Sequence, residues 1–139
     1  MEKREGILRL WFRMWLEKTD MGILDIFAPD AVYIESWGPE YRGAEKIKLW
    51  FDEWNTRGTV LRWDIRQFFH KEDQTIVEWH FKDNMLDGRV EAFDGITLVK
   101  WAPNGRIRYL QEFGCNEAHY DPYRDGPAPK FREGPAAWF

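Results

Sequence analysis

The sequence predicts an α+β fold in which one strongly bent, mainly antiparallel sheet wraps around three N-terminal helices. Two observations predict this class. Apolar residues repeat at helical spacing up to about Asn55, whereas from Val60 onward long segments rich in β-branched and aromatic residues are separated by short turns. At 139 residues the chain fits one domain with a sizeable core. A curved sheet under helices encloses a cone.

Three helices are predicted before most of the sheet. The first spans Arg4 to Lys18, where a wide apolar stripe recurs every three to four residues. The second is short, begins with Asp20 as its cap and ends before Pro29, because the residue before a proline avoids the helical region. The third runs from Ala44 to about Asn55, and Gly58 follows it as a stop signal.

A short strand, Ala31 to Ser36, is predicted between the second and third helices, and Trp37 to Gly43 is predicted as a loop. Four longer strands follow, and they span Val60–His70, Thr75–Asn84, Arg89–Trp101 and Arg106–Asn116. The turns Leu-Asp-Gly-Arg and Pro-Asn-Gly are good hairpin signals, so these strands form an antiparallel meander.

Residues 1–116 form the predicted cavity domain, and residues 117–139 form an extended tail. The tail holds four of the seven prolines, which excludes regular structure. It also contains aromatic residues, including Tyr120, Tyr123 and Trp138, which a disordered end usually lacks. We therefore expect the tail to pack on its own domain or on a partner subunit.

Charge and composition exclude several classes of function. With 20 Lys and Arg against 24 Asp and Glu, the net charge is -4 and no basic block appears, so no nucleic-acid partner is expected. No apolar run approaches the roughly 20 residues of a membrane span, and the N-terminus lacks an apolar signal region. The single cysteine, Cys115, fits a reducing compartment. A cytoplasmic protein without membrane contact is expected.

Aromatic residues are unusually abundant, at 17% of the chain with nine Trp. They indicate either a bulky core with a dimer interface or an aromatic-walled ligand cavity. Large apolar groups are predicted on both faces of the later strands. Trp79 and Phe81 alternate with Glu78 and His80, so they lie on the face predicted to be the outer one. We therefore predict a homodimer through the outer face of the sheet.

Three short motifs carry a family resemblance. They are Phe27-Ala28-Pro29-Asp30-Ala31-Val32, Arg42-Gly43 before a helix, and Asn104-Gly105-Arg106-Ile107 in the last hairpin. Together they resemble the nuclear transport factor 2-like superfamily, particularly its SnoaL-like and ketosteroid isomerase-like bacterial members. The resemblance covers about residues 4 to 116 and implies a cone-shaped, cystatin-like fold. It does not define the reaction, because the superfamily includes isomerases, dehydratases, epoxide hydrolases, polyketide cyclases and binding proteins.

Similarity to ketosteroid isomerases implies three functional positions. A carboxylate late in the first strand shuttles the proton in those enzymes, and Glu35 occupies that position here. Their oxyanion hole uses a tyrosine on the first helix and a protonated aspartate on a later strand, where this sequence has Trp11 and Thr97. Trp11 would donate only through its indole N–H and Thr97 only through its hydroxyl.

Strand alternation predicts which side chains face the cone. Tyr33 shares one side of its strand with Glu35. The parity that turns Thr97 inward also turns Phe93, Val99 and Trp101 inward. With no bulges, the same register turns a further set inward, namely Arg108, Leu110 and Glu112 on the last strand and Glu78, His80 and Lys82 on the strand from Thr75 to Asn84.

In this register Glu35, His80 and Glu112 converge on a cavity. The expected ligand contacts are Tyr33, Trp37, Trp63, Phe93, Thr97 and Trp11. Burial raises the pKa of a carboxyl group toward neutrality, where it both takes and gives a proton, and a histidine does so almost unshifted. Glu35 is the expected base, with His80 or Glu112 as acid or orienting partner.

Each of these residues also has a structural alternative. Glu35 would pair with Arg42 or cap the next helix, His80 would be a hydrogen-bonded interior or interface residue, and Glu112 would pair with Arg62 or Arg108.

The sequence thus predicts a lyase or isomerase that transfers protons on a small hydrophobic, cyclic or polyketide-like compound. The alternative is a non-catalytic binding or assembly module of the same fold. No cofactor is expected, because phosphate loops and nucleotide fingerprints are absent from the sequence. No metal is expected either, since the spacing of Cys115, His119 and Asp121 is unspecific.

Overall fold

A computed structural model describes residues 1–132, and they form a layer of helices on a six-stranded sheet. The elements are α1 (Glu2–Glu17), α2 (Ile23–Ile26), β1 (Phe27–Ile34), β2 (Glu40–Arg42), α3 (Ala44–Arg57), β3 (Gly58–Lys71), β4 (Gln74–Met85), β5 (Val90–Trp101) and β6 (Ile107–Asn116). The predicted α+β class is confirmed. None of the helices within residues 1–132 is long and apolar enough to cross a membrane.

The strand order is β2-β1-β6-β5-β4-β3. β3 to β6 form the predicted antiparallel meander, and β1 joins it by pairing in parallel with β6. The pairing of β3 with β4 shifts between Val60 and Arg62 and again between Ile65 and Gln67. Such bulges bend a strand and increase its twist, so they give the sheet a concave face.

α1 covers part of that concave face. Its buried residues Leu8, Trp11, Phe12 and Trp15 are each at most 3% exposed and recur at helical spacing. Phe12 stacks on Trp63 of β3 with ring centroids 3.9 Å apart. Burial of one such aromatic side chain contributes about 2–3 kcal/mol, so this face holds the helix on the sheet.

The short elements differ from the prediction. α2 has only four residues, and Phe27, expected in that helix, begins β1 with an extended backbone. Pro29 lies within β1, where the pairing with β6 is irregular between Phe27 and Val32, so its missing N–H leaves no gap in a regular ladder. β2 lies in the predicted loop, and its three residues are too few to show a strand period.

The predicted facing of β4 is wrong. Val77 lies opposite Thr97, and Trp79 lies opposite Gly95, so the odd-numbered residues of β4 share the concave face. Glu78, His80 and Lys82 consequently lie on the convex face. A one-residue error in register turns every side chain of a strand over.

The predicted facing of the other two strands is largely right. Thr97, Val99 and Leu110 are each at most 1% exposed in the core. Arg108 is the exception, because the pairing of β5 with β6 shifts next to Trp101. Arg108 therefore lies at the surface, where its Nη2 donates to Asp73 Oδ2 at 3.0 Å.

The homodimer stays a prediction, with different residues on the outer face. Trp79 and Phe81 face the helices and not the outside. On the convex face, Ile96 and its cross-strand neighbour Phe113 are 36% and 44% exposed. These two residues supply the apolar surface that the prediction requires.

The described part of the tail, residues 117–132, has neither helix nor strand. Glu117 lies 3.5 Å from Nδ1 of His80, and the guanidinium of Arg132 lies over the ring of Tyr120. Packing of the tail on the domain or a partner stays a prediction, and Trp138 and Phe139 lie outside the described residues.

Gly95 leaves room for the indole of Trp79, which makes it a test of the packing. A Cβ at position 95 would lie 2.5 Å from the carbonyl oxygen of Phe113 and 2.6 Å from Trp79. Gly95→Ala should therefore lower the free energy of unfolding by about 2 kcal/mol in urea denaturation. Gly6→Ala is the control, since a Cβ there meets nothing within 4 Å, and it should add roughly 0.5–1 kcal/mol. An unchanged stability of Gly95→Ala would contradict this packing.

Candidate active site

A cavity of about 900 Å³ lies between the concave face of the sheet and the helices. Six of its lining side chains are tryptophans: Trp15, Trp37, Trp50, Trp54, Trp63 and Trp79. Tyr41, Phe81 and Phe93 complete the aromatic lining. Its size and apolar walls are typical of a small-molecule site.

Glu35 lies just after the end of β1 and lines this cavity. The hydroxyl of Tyr41 donates a hydrogen bond to its Oε2 at 2.6 Å, and the Tyr41 ring stacks on Trp50 at 4.6 Å. Burial raises the pKa of Glu35, although hydrogen bonds from Tyr41 and Trp37 oppose the shift. The group thus ionises at a higher pH than an ordinary glutamate while it is held in one orientation.

Glu112 is the second carboxyl of the cavity, on β6 opposite Thr97 of β5. Burial is the main cause that raises its pKa to about 8, and the negative charge of Glu35 adds to it. A hydrogen bond with Tyr33 acts in the opposite direction. At neutral pH Glu112 is therefore mostly a neutral carboxylic acid that can donate a proton.

Tyr33 and Trp11 support Glu112 from behind the cavity. Both are 0% exposed, and neither lines the cavity, in contrast to the prediction that they contact the ligand. The indole Nε1 of Trp11 donates to the Tyr33 hydroxyl at 3.3 Å. Trp11, which stands where the ketosteroid isomerases have a tyrosine on the first helix, thus donates to another side chain and not to a ligand.

Thr97 does not line the cavity either. It is 1% exposed, and its Oγ1 accepts a hydrogen bond from Nε1 of Trp79 at 2.7 Å. The other three predicted ligand contacts, Trp37, Trp63 and Phe93, do line the cavity. Trp37 is 67% exposed at its edge, whereas Trp63 is 7% exposed.

His80 does not join Glu35 and Glu112, so the predicted convergence of three residues is wrong for His80. It lies on the opposite face of the sheet because the register of β4 differs from the predicted one. Its Nδ1 is 2.9 Å from Oδ1 of Asp94. These surroundings agree with the structural alternative, in which His80 is a hydrogen-bonded residue without a catalytic role.

One group of side chains on that convex face has the composition of a metal site. His80, Asp94 and Glu117 bring one possible ligand atom each within 4.8 Å of one another. Nη2 of Arg66 also donates to Oδ1 of Asp94 at 3.0 Å. The guanidinium already neutralises the central carboxylate, so the arrangement favours a surface ion-pair network.

Asp83 and Glu91 were missed by the sequence reasoning. They are cross-strand neighbours on β4 and β5, and both line the cavity. Asp83 is 3% exposed, and burial, followed by the charge of Glu91, raises its pKa to about 7. The signal was available in the alternation Trp79, Phe81, Asp83, where an acid continues an apolar series.

The arrangement supports acid–base chemistry. The negative charge of Glu35 raises the pKa of Glu112, because ionisation of one carboxyl in a shared site disfavours ionisation of the other. One of them is then available as a base and the other as an acid over the same pH range.

The chain belongs to the SnoaL-like domain family, whose profile matches residues 8–110. This match confirms the predicted family, and the fold is that of nuclear transport factor 2-like proteins. No curated protein matches the sequence significantly.

Solved structures show the same fold at low sequence identity. A candidate isomerase from Bacillus subtilis has a TM-score of 0.72 at 16% identity, over 82% of this chain and 87% of that one. A candidate SnoaL-like polyketide cyclase from Mesorhizobium loti has a TM-score of 0.63 at 18% identity, over 78% and 97%. A hypothetical protein with a ketosteroid isomerase-like fold from Catenulispora acidiphila, in complex with trimethylamine, has a TM-score of 0.65 at 18% identity, over 77% and 83%.

The raised pKa of Glu112 predicts a pH-dependent stability. The folded protein holds this proton up to about pH 8, whereas an unfolded glutamate loses it near 4.5, so Glu112 lowers the free energy of unfolding as pH rises between these values. Glu112→Gln, which stays neutral, should gain stability relative to the parent from pH 5 to pH 9 in urea denaturation. Glu45→Gln, an exposed control, should follow the parent. A constant difference between Glu112→Gln and the parent would disprove the shift.

Proposed function

We propose that this protein is a cofactor-independent isomerase or cyclase that moves a proton on a small hydrophobic substrate. The observation that carries the proposal is the pair Glu35 and Glu112 in an aromatic cavity, because burial raises the pKa values of both carboxyls and the charge of Glu35 raises that of Glu112 further. Family membership supports the choice of reaction class, as do neighbours described as an isomerase and a polyketide cyclase.

Glu35 is the proposed base. Its carboxylate removes a proton from a carbon next to a substrate carbonyl, and the electron pair of that C–H bond moves to the carbonyl oxygen. Glu112, still protonated, donates its hydrogen bond to this oxygen as the negative charge develops. Glu35 then returns the same proton to a different carbon. Alternatively, the enolate carbon attacks a second carbonyl of the substrate to close a ring, the first carbonyl re-forms, and the new alkoxide takes the proton from Glu35.

Tyr41 is the proposed positioning residue for this base. Its hydroxyl donates to Oε2 of Glu35 and holds the carboxylate in one orientation at the cavity. We assign to Glu112 the role that a protonated aspartate has in the ketosteroid isomerases. Thr97 stands at the position of that aspartate, and Glu112 lies directly across from it on the neighbouring strand. The proton donor is thus moved by one strand relative to those enzymes.

The competing function is non-catalytic binding of an apolar molecule. The volume of the cavity and its aromatic walls support binding equally well, and the trimethylamine complex of the Catenulispora protein shows a ligand on this fold. The two functions differ in one respect, which is that only the enzyme requires an ionisable group at position 35.

Hydrogen exchange of simple ketones tests the proposal without knowledge of the natural substrate. The protein should accelerate deuterium incorporation from D₂O into 2-tetralone, measured by mass spectrometry, and Glu35→Gln should reduce that rate at least about 100-fold. The rate should rise as Glu35 ionises and fall above about pH 8 as Glu112 loses its proton. Glu45→Gln should exchange at the parental rate, and an equal rate for Glu35→Gln would leave only the binding function.

A further inference from the structure

Asp83 and Glu91 form a second pair of carboxyls in the cavity, beside Glu35 and Glu112. Oδ1 of Asp83 accepts the backbone N–H of Glu91 at 3.1 Å, and Oδ2 has no hydrogen-bond partner among the described residues. Asp83 is nevertheless 3% exposed. A carboxyl group this deeply buried normally faces a cation or a full set of donors.

No ion pair within residues 1–132 includes any of four carboxyls of the cavity, which are Asp83, Glu91, Glu35 and Glu112. The nearby guanidinium groups are bound elsewhere, since Arg89 donates to Asp87 at 2.8 Å and Arg57 to Glu53 at 2.6 Å. Lys46, the remaining basic residue of the lining, is exposed.

Aromatic rings lie next to this second pair. Phe81 and Phe93 are cross-strand neighbours two residues away on the same face of the sheet, and their ring centroids are 5.0 Å apart. Trp63 of β3 packs against Phe81 at 5.3 Å. Carboxylates combined with aromatic rings are the groups that bind organic ammonium ions in proteins.

We infer that Asp83 and Glu91 bind a cationic nitrogen of the substrate, a protonated amine or a quaternary ammonium on an otherwise apolar molecule. The inference rests on the proposed function in taking this cavity as the substrate site. The ammonium supplies the positive charge that the cavity carboxyls lack. The apolar remainder of the molecule then extends along the aromatic wall toward Glu35 and Glu112.

Proton release accompanies this binding. The charged groups that act on Asp83 are Glu91, which favours its protonation, and Arg89, which opposes it. Other charged groups of the lining are Glu35, Glu53, Glu112, Lys46 and Arg57. Near pH 7 Asp83 is partly protonated, and a cation beside it drives the proton off. A neutral ligand that accepts a hydrogen bond from the acid would instead cause proton uptake.

Calorimetry with a matched pair of probes tests the inference. Phenyltrimethylammonium and its uncharged isostere tert-butylbenzene have the same shape, and the cation should bind at least about tenfold more tightly at pH 7. Titrations in two buffers of different ionisation enthalpy should show proton release with the cation. Asp83→Asn and Glu91→Gln should each weaken cation binding about tenfold, with tert-butylbenzene unaffected.

Glu45→Gln changes the net charge equally at an exposed site outside the cavity and should bind both probes as the parent does. Failure of the cation to bind, equal binding of the two probes, or proton uptake would each overturn the inference. The proposed function is tested separately. If the cation does not bind but 2-tetralone exchange depends on Glu35, only the inference fails. If the cation binds but the exchange does not depend on Glu35, only the proposed function fails.

Discussion

The packing of α1 against the concave face decides where the core ends and the cavity begins. Trp11 meets the rings of Phe27 and Tyr33 at 5.0 and 5.8 Å and closes one end of the cone. Trp15, one helical turn later, packs against Trp50 at 4.8 Å and lines the cavity. On one face of α1, Trp11 therefore fills the core, whereas Trp15 forms part of the cavity wall.

This wall sets the electrostatics of the cavity. Aromatic surroundings remove water from carboxyls without offering them charge, so Glu112 and Asp83 have pKa values of about 8 and 7. The tyrosines of β1 and β2 orient two of the carboxyls, Tyr33 at Glu112 and Tyr41 at Glu35. Tyr33 and Tyr41 are themselves cross-strand neighbours, so one pairing of strands positions both donors.

The long elements could be predicted from the sequence because they repeat a period many times. α1, α3 and the four strands of the meander agree with the prediction within about two residues. The family followed from its resemblance on three short motifs, and the placement of Glu35 and Glu112 in one cavity followed from that resemblance together with strand alternation.

Short elements and strand facing could not be predicted in the same way. β2, with three residues, has no period, and it carries Tyr41, the partner of Glu35. The facing of β4 depends on the number of residues in the turn between Asn84 and Val90, which pair across the hairpin. A single residue of difference moved His80 out of the site and left Asp83 unnoticed.

Burial keeps carboxyl groups of the cavity protonated at pH values where exposed carboxyls are charged. A carbon-13 NMR titration of the Asp and Glu side-chain carboxyls tests it most directly, with the Glu112→Gln and Asp83→Asn variants assigning the two signals. The structure predicts midpoints of about 8 for Glu112 and about 7 for Asp83. Midpoints near the ordinary values of about 4 for both groups would show that burial does not keep these carboxyls protonated.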